Sequence, residues 1–255
     1  MQQAVDLYEE GKELKKFLET ISPEEWGRVT PFKNWTINKV VQHLHGADKA
    51  AMLSLASRDE FLVIKYNLKV QRTLMSPNIC GRELLDCWWR CFNEMCEQLG
   101  GSDPKHRLTW FGPDMGVMMF TTARQMETWA HGQDIYDCLN RTRISTDRLK
   151  NIVVIGVKTF GWTFINRKME PPTPVPYVKL DAPSGEVWEF GQPSKENYIS
   201  GAAVEFCHVV TQGRNIQDKD IHLKVVGESA QKWMDIAQCF AGPPEAPPKP
   251  GLRTS

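Results

Sequence analysis

The sequence predicts an α+β protein, with an N-terminal four-helix bundle followed by a small α+β domain. Three observations predict it. Apolar residues recur at helical spacing in several long segments before residue 170. Four prolines in the six residues Pro171 to Pro176 (PPTPVP) then break that pattern and suit a stiff linker. Beyond them, short β-branched and aromatic runs alternate with turn residues. The expected organisation is therefore a helical bundle over 1–170, a small α+β domain over 177–242, and a disordered proline-rich tail over 243–255.

The first helix covers residues 2 to 21, because Ala4, Leu7, Tyr8, Gly11, Leu14, Leu18 and Ile21 form one stripe with Glu and Lys opposite. Ser22, Pro23 and Glu25 then fit a helix cap, a first-turn proline and a capping-box partner, with Trp26 as an anchor. Thr36 caps a second helix to about residue 56, striped by Ile37, Val40, Val41, Leu44, Ala47, Ala51 and Leu55. His43 and His45 border that stripe on opposite sides. A third helix begins after Gly81, buries Leu84, Leu85, Trp88, Phe92, Met95 and Leu99, and stops at Gly100-Gly101-Ser102-Asp103-Pro104. A fourth spans roughly 115 to 139, and a fifth runs from near Ser145 to about 167 through Leu149, Ile152, Val153, Gly156 and Phe160. In the second domain, YVKL and EVWEF flank Asp181 to Gly185 as a hairpin. A helix over 198 to 212, a strand over His222 to Val226 and a helix over Ser229 to Phe240 complete it.

Composition narrows the partners. The 255 residues are 41% hydrophobic, enough to fill a core without staples, and 31 Lys plus Arg balance 31 Asp plus Glu. A chain with no net charge has no overall field to gather nucleic acid or an anionic membrane, so the expected partner is a small-molecule substrate that is roughly neutral. No apolar run reaches the roughly 18 to 20 residues of a membrane span, and the N-terminal MQQAVDLYEEGKELKK lacks a signal-peptide core. A cytoplasmic protein, monomer or homodimer, follows. Seven cysteines with no C-x-x-C pair read as reduced; Cys87 and Cys91 share a helix face but have no histidine in that helix, so packing is their expected role.

The chemistry gathers in the fourth helix. Glu127 and His131 are four residues apart and lie one above the other, with Asp134 three further along the same face. Two ligands from one helix define an edge of a coordination polyhedron, and His43 on the second helix can supply a third. Two imidazoles and one carboxylate form a ligand set that leaves a zinc position open to water or substrate. A Glu and a His at this spacing also occur on solvated faces, where they would mean nothing. Asp134 is either an acceptor orienting an imidazole N–H or a solvated carboxylate. His45, His106, His208 and His222 read as surface or hydrogen-bonded histidines.

Trp35-Thr36 followed by Val41-Gln42-His43-Leu44, then Glu127-x-x-x-His131-x-x-Asp134, resembles the mycothiol-dependent maleylpyruvate isomerase family, within the DinB-like metal-binding four-helix bundles. The resemblance covers nearly the whole chain. WFGPDM (Trp110 to Met115), METWAHGQD (Met126 to Asp134) and MDIAQCFAGPP (Met234 to Pro244) are especially similar to an uncharacterised, mainly actinobacterial branch. The resemblance implies a divalent metal, usually zinc, on His43, Glu127 and His131. It also implies mycothiol or another low-molecular-weight thiol as cosubstrate, adding to an activated double bond, permitting rotation and leaving again. Such a thiol needs an anchor, for which Arg124, one turn before Glu127, and Arg214 of the second domain are the candidates beside an ordinary salt-bridge role. Trp110, Phe111 and Trp129 could line an apolar pocket or fill the core.

Three functions follow from these residues: a metal-dependent isomerase or S-transferase using a thiol on a small electrophile; a thiol-independent isomerase, cyclase or lyase of a secondary-metabolite pathway; and a non-enzymatic ligand-binding bundle.

Overall fold

A computed structural model describes residues 1–253. The α+β class holds, and the chain folds as two compact units, the first Met1–Leu139 and the second starting at Asn140. Among the described residues, no helix is long and apolar enough to cross a membrane.

In the first unit, α1 (Gln2–Leu18) buries Ala4, Leu7, Leu14 and Leu18 and ends a turn before the expected Ile21. The capping box forms: Ser22 N donates to Glu25 Oε2 at 2.7 Å and Glu25 N to Ser22 Oγ at 3.4 Å. A 3-10 turn, Glu25–Gly27, sets Trp26 into the core. Thr36 Oγ1 accepts from Lys39 N at 3.2 Å and starts α2 (Ile37–Ala56) as expected.

Two helices follow that the apolar pattern does not announce, α3 (Arg58–Tyr66) and α4 (Leu68–Met75). They are short: α3 buries only the pair Phe61 and Ile64, and α4 buries no residue, so neither carries a long stripe to read. Their caps were legible: Ser57 accepts from Glu60 N in a second S-x-x-E box, and Asn67 Oδ1 accepts from Lys69 N and Val70 N. Helix α5 (Gly81–Gly101) buries all six expected residues. A small hairpin, β1 (Arg107–Leu108) with β2 (Met115–Gly116), leads into α6 (Val117–Cys138). The bundle is α1, α2, α5 and α6, with both α1 and α2 packed against α5 and α6. Gly11 lets α1 approach α5 closely, since a Cβ there would meet the Phe92 ring at 2.3 Å.

The second unit corrects two expectations. The segment expected as one helix over 145–167 is α7 (Leu149–Lys158) and α8 (Phe160–Ile165), broken at Thr159. Its hydroxyl turns back onto Ile155 O at 2.7 Å and Gly156 O at 3.0 Å, competing with the helical backbone. After the hairpin of β3 (Tyr177–Asp181) and β4 (Val187–Phe190), the expected helix over 198–212 is a strand, β5 (Tyr198–Ala202), then α9 (Ala203–Val210). The strand wins because β5 pairs along its length with β3 in parallel and with β6 (Lys224–Val226) in antiparallel. Such pairing is invisible to local periodicity. The sheet order is β4-β3-β5-β6, and α10 (Glu228–Ile236) sets Trp233 edge-on to Phe160 and Phe206.

Within the second unit α7 packs on α9 and α8 on α10, and the PPTPVP segment joins α8 to β3. The tail expected to be disordered from 243 is tied down as far as it is described. Glu245 N donates to Gln238 Oε1 at 3.0 Å, Pro248 O accepts from Asn215 Nδ2 at 2.7 Å, and Gly251 N donates to Asp218 Oδ1 at 2.7 Å. Polar side chains from the segments after α9 and α10 thus satisfy a backbone that proline prevents from pairing with itself. Residues 254 and 255 of that expectation lie outside the described residues.

Candidate metal centre

Helix α6 carries an unusual burden, because polar side chains as well as apolar ones are buried along it: Thr121, Arg124, Gln125, Thr128, His131 and Asp134 among them. A helix that hides its polar face must satisfy it internally. Some of that demand is met by local bonds, such as Thr128 Oγ1 to Arg124 O at 2.9 Å. The rest is met at two clusters.

The first cluster is the expected triad. His43, rotated to the edge of α2 by the inward Val40, Val41 and Leu44, presents Nε2 3.7 Å from Glu127 Oε2. His131 Nε2 lies 3.4 Å from the same oxygen. One ligand atom from each of the three side chains lies within 4.8 Å of the others. Atoms about 2.0 to 2.2 Å from a shared tetrahedral ion stand roughly 3.4 Å apart, so this spacing fits a divalent cation with little adjustment. Asp134 Oδ2 sits 3.2 Å from His131 Nδ1. In the neutral ring, donation of the Nδ1–H to Asp134 would leave Nε2 as the lone-pair nitrogen facing Glu127. Asp134 is thereby the buried orienting acceptor of the two readings open to it, and not a solvated carboxylate.

A tight loop walls the triad. Thr30 N donates to Trp35 O at 2.7 Å and Trp35 N to Phe32 O at 2.8 Å, with Lys33 and Asn34 in left-handed conformation. The loop lays the Phe32 ring 4.9 Å from His131 and the Trp35 ring 5.3 Å from His43. The two imidazoles are 4.8 Å apart, edge to face.

The electrostatics suit a cation. Burial pushes the His43 imidazole below its usual pKa, against the pull of Glu127. Burial also opposes charge on His131, but hydrogen bonds with Asp134 and Glu127, and their charges, outweigh it and raise the ring to about 9. Glu127 itself is held well below the usual carboxylate range, since the two imidazoles more than offset its burial.

The second cluster was not foreseen. Arg124, expected as a thiol anchor, is almost completely buried, and its Nε and Nη2 both bond Asp48 Oδ1, at 3.2 and 2.8 Å. Trp88 Nε1 donates to Asp48 Oδ2 at 3.0 Å. The fork is thus committed to a core ion pair linking α2, α5 and α6 rather than presented to a ligand. The signal was available: Asp48 falls on the apolar stripe of α2 beside Leu44, Ala47 and Ala51, where an acid must find a partner. Arg214 belongs to the second unit, buried there, with Nη1 donating to Gly213 O at 2.9 Å and Nε 3.6 Å from Asp220 Oδ2.

The remaining candidates are structural. Trp110 stacks on Phe61 at 5.4 Å and meets Phe120 edge-on at 4.8 Å, and Phe111 lies 5.2 Å from Phe61. Trp129 is buried. His106 and His222 are exposed, His222 lying 3.5 Å from Glu205. His45 is neither surface nor hydrogen-bonded at Nδ1, and burial pushes its pKa down to about 4. Cys91 packs against Met52 with sulfurs 3.7 Å apart, and burial raises its thiol to about 12, which is core behaviour.

Comparison with known proteins adds three findings. The sequence model of the mycothiol maleylpyruvate isomerase N-terminal domain matches residues 7–136. Two uncharacterised proteins from two strains of Mycobacterium tuberculosis are each 34% identical over 250 residues, covering 94% of this chain and 95% of theirs. The solved structure of the mycothiol-dependent maleylpyruvate isomerase superposes with a TM-score of 0.56 at 11% identity, covering 82% of this chain and 87% of that one. A variant of that enzyme with a histidine replaced by alanine gives 0.54 over the same shares. At that identity the likeness is one of fold.

Proposed function

The chain belongs to the family of the mycothiol maleylpyruvate isomerase N-terminal domain, and we propose that His43, Glu127 and His131 hold one divalent ion, zinc by donor type, at which a low-molecular-weight thiol is activated for attack on a small electrophilic substrate. The reaction class is isomerisation or S-transfer. The observation that carries the reading is the convergence of three donor atoms from α2 and α6 to within 4.8 Å. When bound, the ion supplies Lewis acidity, which stabilises a deprotonated thiol or polarises a carbonyl at neutral pH.

The protein's own side chains do the rest. Asp134 fixes the tautomer and orientation of His131. Phe32 and Trp35 exclude water from one side of the two imidazoles, which strengthens every charge interaction there. The Asp48–Arg124 pair pins α2 to α6, and so fixes the separation of His43 from Glu127. Addition of the thiol sulfur to a conjugated carbon–carbon double bond leaves a single bond; rotation about it and loss of the same thiol give the isomer, with no net consumption of thiol. The solved neighbours are named for mycothiol and maleylpyruvate, and mycothiol is the first thiol to test, followed by glutathione and bacillithiol.

Elemental analysis of protein purified with zinc should give about one zinc per chain, reduced to background in His131→Ala and His43→Ala of verified fold. A folded wild-type protein that stays metal-free rejects the metal centre. Turnover of maleylpyruvate should require added thiol; full turnover in thiol-free buffer rejects the thiol step while leaving the centre standing.

A further inference from the structure

Helix α4, with no buried residue, is an odd element to find packed along α2. Gly46 makes the contact possible: a Cβ there would lie 2.6 Å from Leu74 O and 2.7 Å from Met75 Cα, so only glycine lets the last turn of α4 settle on α2. That turn closes one side of a cavity of about 250 Å³ whose other side is Trp35, Lys39 and His43. His43 thus faces both the Glu127 carboxylate and this cavity.

The lining is charged with one sign. Lys39 from α2 and Arg72 from α4 border the cavity, and among the described residues no aspartate or glutamate does. The Lys39 ammonium is steered by Ser76 Oγ and lies 5.8 Å from the Trp35 ring centroid. Two cations from different helices, without a carboxylate between them, converge on a space walled by an indole and a thioether. We infer that this cavity is the substrate site of the proposed enzyme and that Lys39 and Arg72 select a small carboxylic acid, holding its carboxylate while its carbon skeleton lies along Trp35 toward His43. An arginine fork matches a carboxylate bidentately and a lysine adds a point charge. The volume falls below the roughly 300 to 1,000 Å³ of sites for drug-sized ligands and suits an acid of a few carbons.

This inference rests on the proposed reaction class, but its test is separate. Isothermal titration of the zinc-loaded full chain with maleate, a rigid cis-dicarboxylate, should show one site per chain. Arg72→Gln and Lys39→Met should each weaken it about tenfold or more, the scale of one lost charge-assisted bond, with zinc content unchanged. The uncharged maleamide should bind at least about tenfold more weakly than maleate by the same reasoning. Wild-type protein that binds no maleate, or variants that bind it as wild type does, overturn the assignment; direct ligation of maleate by zinc would give the second result. Glutathione is the control for the cosubstrate: if Arg72→Gln weakens glutathione and spares maleate, the cations serve the thiol and the substrate assignment fails. Should the wild type hold no zinc, the metal reading falls alone, since the same titration on metal-free protein still decides the pocket.

Discussion

Asp134 Oδ2 lies 3.2 Å from His131 Nδ1, one helical turn away on the same buried face of α6. The contact presets the imidazole that a metal would use. Asp134→Ala should therefore lower zinc affinity by roughly 10- to 100-fold with the three donors intact. Competition with a chromophoric chelator reads the change. An unaltered affinity would show that the bond serves folding only.

Proton linkage gives a second prediction. His131 is raised to about 9 without metal, so at neutral pH an incoming cation must displace its proton. Apparent zinc affinity should rise about tenfold per pH unit between 7 and 9 and flatten above, with about one proton released per zinc in titrations at pH 7 to 8. The metal-free fold should show the opposite trend. A histidine raised above its unfolded value contributes stability fully present below about 6.5 and lost as pH rises through about 9. Chemical denaturation of chelator-treated protein at pH 6 and pH 9 checks that sign.

The Arg124–Asp48 pair predicts a split between stability and binding. Asp48→Ala leaves a guanidinium buried without its carboxylate and should cost about 3 to 5 kcal/mol. Arg124→Lys should also destabilise, because lysine cannot reproduce the two bonds from Nε and Nη2. Thiol KM in any Arg124 variant that remains folded should stay near wild type; a large rise with stability preserved would restore the anchoring role that the sequence suggested.

Packing at Gly11 is testable by itself. Gly11→Ala places a methyl where the Phe92 ring lies and should destabilise by about 1 to 3 kcal/mol despite alanine's better helix propensity. Phe92→Leu should relieve part of that cost in the double variant, which a double-mutant cycle measures.

The C-terminal strap predicts that removal of residues 243–255 is not neutral. Loss of the bonds at Glu245, Pro248 and Gly251 leaves Gln238, Asn215 and Asp218 without those partners. A fall in Tm of several degrees is expected, since each bond is worth about 1 kcal/mol and a domain of this size shifts about 2 to 4 °C per kcal/mol. An unchanged Tm would mean that the segment behaves as the loose tail its prolines suggest.

The sequence by itself determined the four long helices of the bundle and the common helix face of Glu127 and His131. Helices α1, α2 and α5 each carry an apolar stripe, and the Thr36 cap of α2 and the Ser22–Glu25 box before the 3-10 turn act within a few residues. Glu127, His131 and Asp134 share a face by helical arithmetic alone. What only the tertiary structure decided lies where long-range partners overrule local pattern. The strand Tyr198–Ala202 exists because β3 and β6 pair with it, and the 243–253 strap because distant side chains satisfy its backbone. Arg124 turns inward because Asp48, 76 residues earlier, waits in the core. Helix α4 forms one wall of a charged cavity because Gly46 yields it room. Spacing along a chain fixes which face a residue occupies, but a charged group's partner is chosen by desolvation, and that is set by whichever segments meet in three dimensions.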